Sequence, residues 1–264
     1  MFRLWLLVGC ACLTGWLAVT AGHAQTAPPE FQDCDTCPPM TVLPDGSSMS
    51  TTLVTRGEFA VFATETGVAP DAGCFLRGAG DWQFDEKGGW GNTGYAQADD
   101  HPAVCVSWVE ATAYADWLAD RTGKAYRLPT VEESTAAAAA GTNTAYWWGE
   151  DFAEVCAHAN AADASFRAQF PEDKRKILAC DDGYAWTAPV RTFGPNPWGL
   201  YDAVGNAWQW TNSCLKGDCS NAIFRGAAWA APNPDHFKPG GQWADRIILR
   251  NAAVGFRLML DAPG

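Results

Sequence analysis

Cysteine carries the most chemical options in this chain. Ten occur in 264 residues, and Cys10 and Cys12 fall inside an apolar leader. The other eight are Cys34, Cys37, Cys74, Cys105, Cys156, Cys180, Cys214 and Cys219. An even count behind an export signal predicts disulfides rather than free thiols. Eight cysteines allow about a hundred connectivities. Nearest-neighbour pairing (34 with 37, 74 with 105, 156 with 180, 214 with 219) is expected, because each bridge then staples one irregular segment. Cys34-Asp-Thr-Cys37 also has the spacing of a thioredoxin-type redox pair, whose reactive thiolate sits at a helix start. Pro38-Pro39 forbids that helix, and an oxidising compartment favours bridges over a zinc-thiolate site.

The compartment is read from residues 1–24. Arg3 opens a secretory signal, Leu4 to Ala21 form its apolar core, and Gly22 and Ala24 supply the small residues of a cleavage site near Ala24. A periplasmic or secreted location follows. Leu7-Val8-Gly9-Cys10 resembles a bacterial lipobox, but cutting before Cys10 would leave too short an apolar region. No later stretch approaches the ~20 apolar residues of a membrane span. A formal charge of -12 argues against phosphate neutralisation, so nucleic acid and anionic membranes are not expected as partners.

Three segments must position any site. Each opens on Thr or Ser with Glu three residues later and closes on Gly: Thr55 with Glu58 to Gly67, Ser107 with Glu110 to Gly123, and Thr130 with Glu133 to Gly141. Phe59, Phe62 and Ala63 share one face of the first helix; Ala111, Tyr114, Trp117 and Leu118 share one face of the second. Residues 40–43, 104–106 and 255–259 are β-prone. Stretches 78–100 and 181–252 show neither periodicity. Loops that long fit a compact body only when bridges, metal ions and large aromatics hold them, and the chain has 14 Trp. One α+β domain over 25–264, rich in ordered loops, is expected.

Several strings, in order, carry a family resemblance: Val54 to Phe59, His101 to Trp108, Arg127-Leu128-Pro129-Thr130, Tyr146 to Glu150, Thr187 to Val190, Gly199 to Asp202, Val204 to Trp208 and Val254 to Arg257. Together they resemble the sulfatase-modifying-factor family, founded by the formylglycine-generating enzyme. The resemblance implies a C-type-lectin-like α+β fold with little regular structure. In that enzyme a cysteine pair binds copper and oxidises a substrate cysteine with oxygen. The two positions fall here on Ala231 and His236, after Arg225-Gly226-Ala227-Ala228-Trp229, and no cysteine follows Cys219. Copper(I) needs soft thiolates, so copper chemistry of that type is not expected. The family also places Trp and Glu where this chain has Ser134 and Thr135.

The resemblance further implies two calcium sites. Asn160, the Ala161 carbonyl, Asp182 and the Tyr184 carbonyl match the first. Asp202, the carbonyls of Gly205 and Ala207, and Gln209 match the second, with Gln209 standing where the family more often has Glu. Calcium wants six to eight oxygens, which irregular backbone supplies. The family's substrate groove maps onto Trp229, Asp235, His236, Trp243 and Arg246, with Arg225 at its base. His236 is the candidate general base, Asp235 its orienting carboxylate and Arg246 a further catalytic candidate, while Trp229, Trp243 and Arg225 are expected to bind substrate. An iron site of the sulfoxide-synthase branch would need all of His101, His158 and His236. The leading expectation is a monomeric, divergent periplasmic enzyme that oxidatively matures a peptide-derived substrate, as in the exported family member needed for maturation of the siderophore pyoverdine. The alternative is a calcium-stiffened, non-catalytic module that binds a peptide, glycan or partner protein.

Overall fold

Local hydrogen bonding fixes the three longest helices where their caps stand. In the computed structural model, which describes Met1 and residues 28–262, they are α1 (Arg56–Thr66), α2 (Trp108–Thr122) and α3 (Val131–Ala139). The rest of the expected signal, with Cys10, Cys12 and the cleavage point near Ala24, lies outside the described residues. All three capping boxes form: the Thr55, Ser107 and Thr130 hydroxyls accept from the Glu58, Glu110 and Glu133 amides, and the glutamates reach back to the cap amides. Gly67 and Gly123 end α1 and α2 in the left-handed conformation. The third helix stops one residue earlier than expected, because Ala140 at φ 48° makes the turn that Gly141 was expected to make.

Short strands β1 (Glu30–Phe31), β2 (Met40–Val42), β3 (Ser48–Ser50), β6 (Tyr126–Arg127) and β11 (Met259–Leu260) form one sheet in the order β1-β2-β3-β11-β6. A second sheet, ordered β10-β7-β8-β9, joins β10 (Val254–Phe256), β7 (Trp208–Leu215), β8 (Asp218–Arg225) and β9 (Gln242–Arg246). A two-stranded ribbon pairs β4 (Cys74–Arg77) with β5 (Trp82–Asp85). Short helices α4 (Val155–His158), α5 (Ala164–Gln169) and α6 (Pro234–Phe237) sit in the loops. Phe59, Phe62, Tyr114, Trp210 and Phe256 bury the main core between α1, α2 and the second sheet. No helix of the described residues is long and apolar enough to cross a membrane.

Three expectations are corrected here. Residues 104–106 are buried but form no strand, since Cys105 takes φ 58° and donates its amide to the Asn251 carbonyl. The run 255–259 is divided between two sheets, because the Arg257 side chain turns inward between β10 and β11 to reach the Ser50, Tyr201 and Asp202 carbonyls. The stretch 181–252 holds β7, β8 and β9, whose hairpin turns on Lys216 (φ 50°) and Gly217 (φ 81°), the pair of positive angles that matches strand twist. At Gly255 a side chain is excluded: a Cβ would meet the Ala103 carbonyl oxygen at 2.5 Å.

The four bridges pair as expected, Cys34–Cys37, Cys74–Cys105, Cys156–Cys180 and Cys214–Cys219. Cys74–Cys105 closes a 31-residue separation and ties the β4–β5 ribbon to the buried 103–106 segment. Removing it as Cys74→Ala with Cys105→Ala is expected to cost about 3–4 kcal/mol in denaturant unfolding. The Cys34→Ala with Cys37→Ala variant, whose loop spans 3 residues, should cost less than about 2 kcal/mol by the same loop-entropy argument.

Candidate functional site

The second sheet and the ribbon together leave an open groove of about 460 Å³. Phe75 and Trp82 of the ribbon, Trp208 of β7, Phe224 of β8 and Trp243 of β9 form its aromatic walls; Asp245, Asn251 and His236 of α6 supply its polar atoms. Strand alternation selects these residues. In β7 Trp208 and Trp210 share one face: Trp210 is buried in the core and donates its indole N–H to the Val106 carbonyl, and Trp208, two residues towards the strand start, lines the groove edge-on to Phe224 at 5.5 Å. Trp243 is 60 % exposed, an unusual cost for an indole.

His236 lies edge-on to Trp208 at 5.1 Å, and its buried Nδ1 has no hydrogen-bond partner among the described residues. Burial pushes its pKa below the ordinary histidine value, with Asp235 opposing, so the ring is neutral at pH 7. The expected Asp235–His236 pair does not form. Asp235 is exposed and bonds Lys238 at 2.7 Å, and that partner holds its carboxyl below the usual range. Nor do three of the other expected groove residues line it. Arg246 is on the exposed face of β9. Arg225 is the neighbour of Phe224 on β8 and therefore points to the opposite side, where it is 2 % exposed. Trp229 is wholly buried one layer behind the groove wall, packed on Trp82, Tyr95, Phe166, Phe170 and Trp186, with its indole N–H donated to the Ala252 carbonyl. Of the six expected groove residues, the structure brings only His236 and Trp243 there. Trp208, Trp82, Phe75 and Phe224 were missed, although Trp208-Gln209-Trp210 is a strand-period signal that places both indoles on one side of the pleat.

A second constellation lies between α4, α5 and the loop at 180–186. Asn160 donates its amide Nδ2 to the Trp186 carbonyl at 2.7 Å, which fixes the amide and leaves Oδ1 buried with no donor among the described residues. Asp182 accepts from the Ala161 and Tyr184 amides, each at 2.8 Å. Asp163, wholly buried, caps α5 and accepts from the Asp182 amide. Burial, with Asp163 and Asp181 adding like charge, pushes the Asp182 carboxyl up to about 7. Cys156, Asp163 and Asp182 form the one cluster of metal-ligating types among the described residues, and Cys156 is tied up in its bridge to Cys180. What remains is a hard oxygen set, a carboxylate pair and an orphaned amide oxygen, which fits calcium and not a soft metal.

In the other expected calcium set, groups of the protein already bond two of the oxygens. The Gln209 Oε1 accepts from Arg257 Nε at 2.5 Å, its Nε2 donates to the Asp202 carbonyl, and the Gly205 carbonyl accepts from the Ala207 amide. Two of the expected donor atoms are thus committed elsewhere, because a neutral Gln facing an arginine gives that guanidinium its acceptor. The Asp202 carboxyl, pushed up to about 6 by burial, accepts from Asn206 Nδ2 at 3.3 Å. The three histidines are each engaged locally. His101 meets the Thr187 hydroxyl at 3.0 Å, and His158 stacks on Trp148.

The model of the sulfatase-modifying factor enzyme 1-like domain matches residues 12–262. The chain belongs to that family. The formylglycine-generating enzyme of Streptomyces coelicolor is 33% identical over 185 residues, 60% of this chain and 55% of that protein. A bovine protein named inactive C-alpha-formylglycine-generating enzyme 2 is 36% identical over 140 residues, 52% of this chain and 41% of that one. The chain thus spans about half the length of these curated relatives. Among solved structures, PvdO from Pseudomonas aeruginosa superposes with a TM-score of 0.72 at 25% identity, covering 90% of this chain and 100% of PvdO. The fold is therefore the loop-rich α+β fold of the sulfatase-modifying-factor proteins. Within it, the two positions expected of the family's copper-binding cysteines are Ala231, which is buried, and His236 in the groove.

Proposed function

We propose that this family member is exported and holds an apolar segment of a peptide-derived ligand or partner protein in the Trp208–Trp243 groove, on a frame stiffened by calcium. The observation that carries the reading is the groove itself: open, walled by aromatics, and presenting an exposed indole where no buried acid–base pair stands. Four formed disulfides support action in an oxidising compartment. Asn160 Oδ1, Asp182 and the carbonyls of Ala161 and Tyr184, with Asp163 beside them, are the residues that would hold the ion. Bound there, calcium supplies charge compensation and cross-links the two loops; it takes no part in turnover.

Titration with a panel of Trp-, Phe- and Leu-bearing peptides, followed by calorimetry, tests the groove. Trp243→Ala is expected to weaken the best binder by about 2 kcal/mol, roughly 30-fold in Kd, with unchanged melting temperature. Equal affinity in both proteins would remove the groove as the binding site. A second reading, a divergent modifying enzyme, is favoured by the neutral His236 ring in the groove wall, a side chain of the type that serves as general base. Acidification separates the roles of this ring. Its folded pKa is depressed, so the ring is uncharged well above the ordinary value of about 6.5 and becomes charged only as the pH falls below it. Apolar-ligand affinity should fall in that acidic range for the native protein and stay flat in His236→Gln. Retained binding with lost turnover in that variant would establish the enzyme reading.

A further inference from the structure

We propose that Arg225 forms a buried site for one monoatomic anion, chloride in the cell's surroundings, in the small cavity between the end of β8 and helix α3. Arg225 is 2 % exposed, and its Nε and Nη2 are both buried without an acceptor among the described residues. It makes no salt bridge there, and burial alone displaces its pKa, to about 10, so the guanidinium stays charged at neutral pH. A charge enclosed without a partner costs several kcal/mol. Native proteins rarely leave that uncorrected.

The cavity beside it measures about 10 Å³, room for one water-sized sphere. Its polar wall consists of Arg225, Arg257, Gln209 and Ser134, and methionine and alanine side chains complete it. Arg257 gives its donors to the Gln209 side chain and to the Ser50, Tyr201 and Asp202 carbonyls, all neutral acceptors. The Gln209 Nε2 donates to the Asp202 carbonyl at 2.9 Å and carries a second proton, while Ser134 adds a hydroxyl. The wall therefore offers donors and the uncompensated charge of Arg225, no carboxylate lines it, and the Arg257 charge faces the buried Asp202 carboxyl behind. A water molecule would satisfy the donors and leave the charge; an anion does both. Volume excludes phosphate, sulfate and carboxylate ligands, which leaves a halide.

The test uses the whole protein. Melting temperature is measured in sodium chloride, sodium bromide and sodium gluconate at equal ionic strength. The halides should raise it saturably, by about 3–6 °C at a tenfold excess over Kd. Crystals grown in bromide should show an anomalous peak against Arg225. Arg225→Met should abolish the halide response; should that variant not fold, Ser134→Asp, which places a carboxylate on the same cavity, should abolish it in a folded protein. Equal melting in chloride and gluconate, a halide response that persists in Ser134→Asp, or a cavity holding only water in bromide crystals would each overturn the assignment.

Discussion

If the proposed calcium site is filled, chelation is expected to lower the melting temperature of the protein by about 5–10 °C. Binding at a hundredfold excess over Kd contributes about 2.7 kcal/mol, and a domain of this size shifts by roughly 2–4 °C per kcal/mol. The physical basis is the loop at 180–186. Buried Asp163 and half-buried Asp182 stand close together, and the nearby Asn160 Oδ1, next to the Ala161 amide that Asp182 accepts from, is buried with no donor among the described residues. Without a cation, ionising both carboxyls sets like charges against each other, and no lysine or arginine among the described residues bonds either one. A single ion there would join this loop to the α4–α5 segment, which the Cys156–Cys180 bridge also ties to it. Asp182→Ala should abolish the response to added calcium, measured by calorimetric melting and elemental analysis. Asp181→Ala, which removes an exposed carboxylate bonded to Ser165 and Gly183, should keep it. An unchanged melting temperature on chelation, together with no calcium in the purified protein, would remove the site.

Trp229→Ala should cost about 5 kcal/mol, near the upper end for large aromatics, and lower the melting temperature by about 10–20 °C. Five aromatic rings pack on this indole, the nearest being Trp186 at 5.0 Å, and no neighbour can slide in to fill the space. Loss of the indole N–H would also take one of two donors from the Ala252 carbonyl, leaving it the Tyr95 hydroxyl. Because Trp82 stands between Trp229 and the groove, ligand affinity should change only through that displaced wall. Denaturant unfolding of Trp229→Ala beside Trp229→Phe checks this, and a stable alanine variant with selectively lost binding would return Trp229 to the groove floor.

What could be read from the chain depended on the range of the interaction. Capping boxes and left-handed stops are local, so α1 and α2 were legible to the residue, while α3 was missed by one because Ala140 accepted a conformation usually left to glycine. The cysteine pairs were legible because each bridge joins cysteines that are consecutive along the chain. The β7–β8–β9 meander was not, since Trp, Asn and Gly obscure its alternation and its partner β10 arrives from far along the chain. The same gap hid the groove. Family strings pointed to the 225–246 stretch, but which of its residues face the ligand depends on strand parity: Phe224 faces in and Arg225 faces away. The Asp235–His236 pair failed for another local reason, a lysine three residues on that captures the carboxylate.

The family frame is present, and the central proposal is that its thiol chemistry is replaced here by an aromatic groove that holds His236. Mass spectrometry of a sulfatase-type cysteine peptide, incubated with the protein, copper and dioxygen, tests it most directly. The peptide should emerge with its thiol intact. Conversion of that cysteine to the aldehyde would contradict the claim.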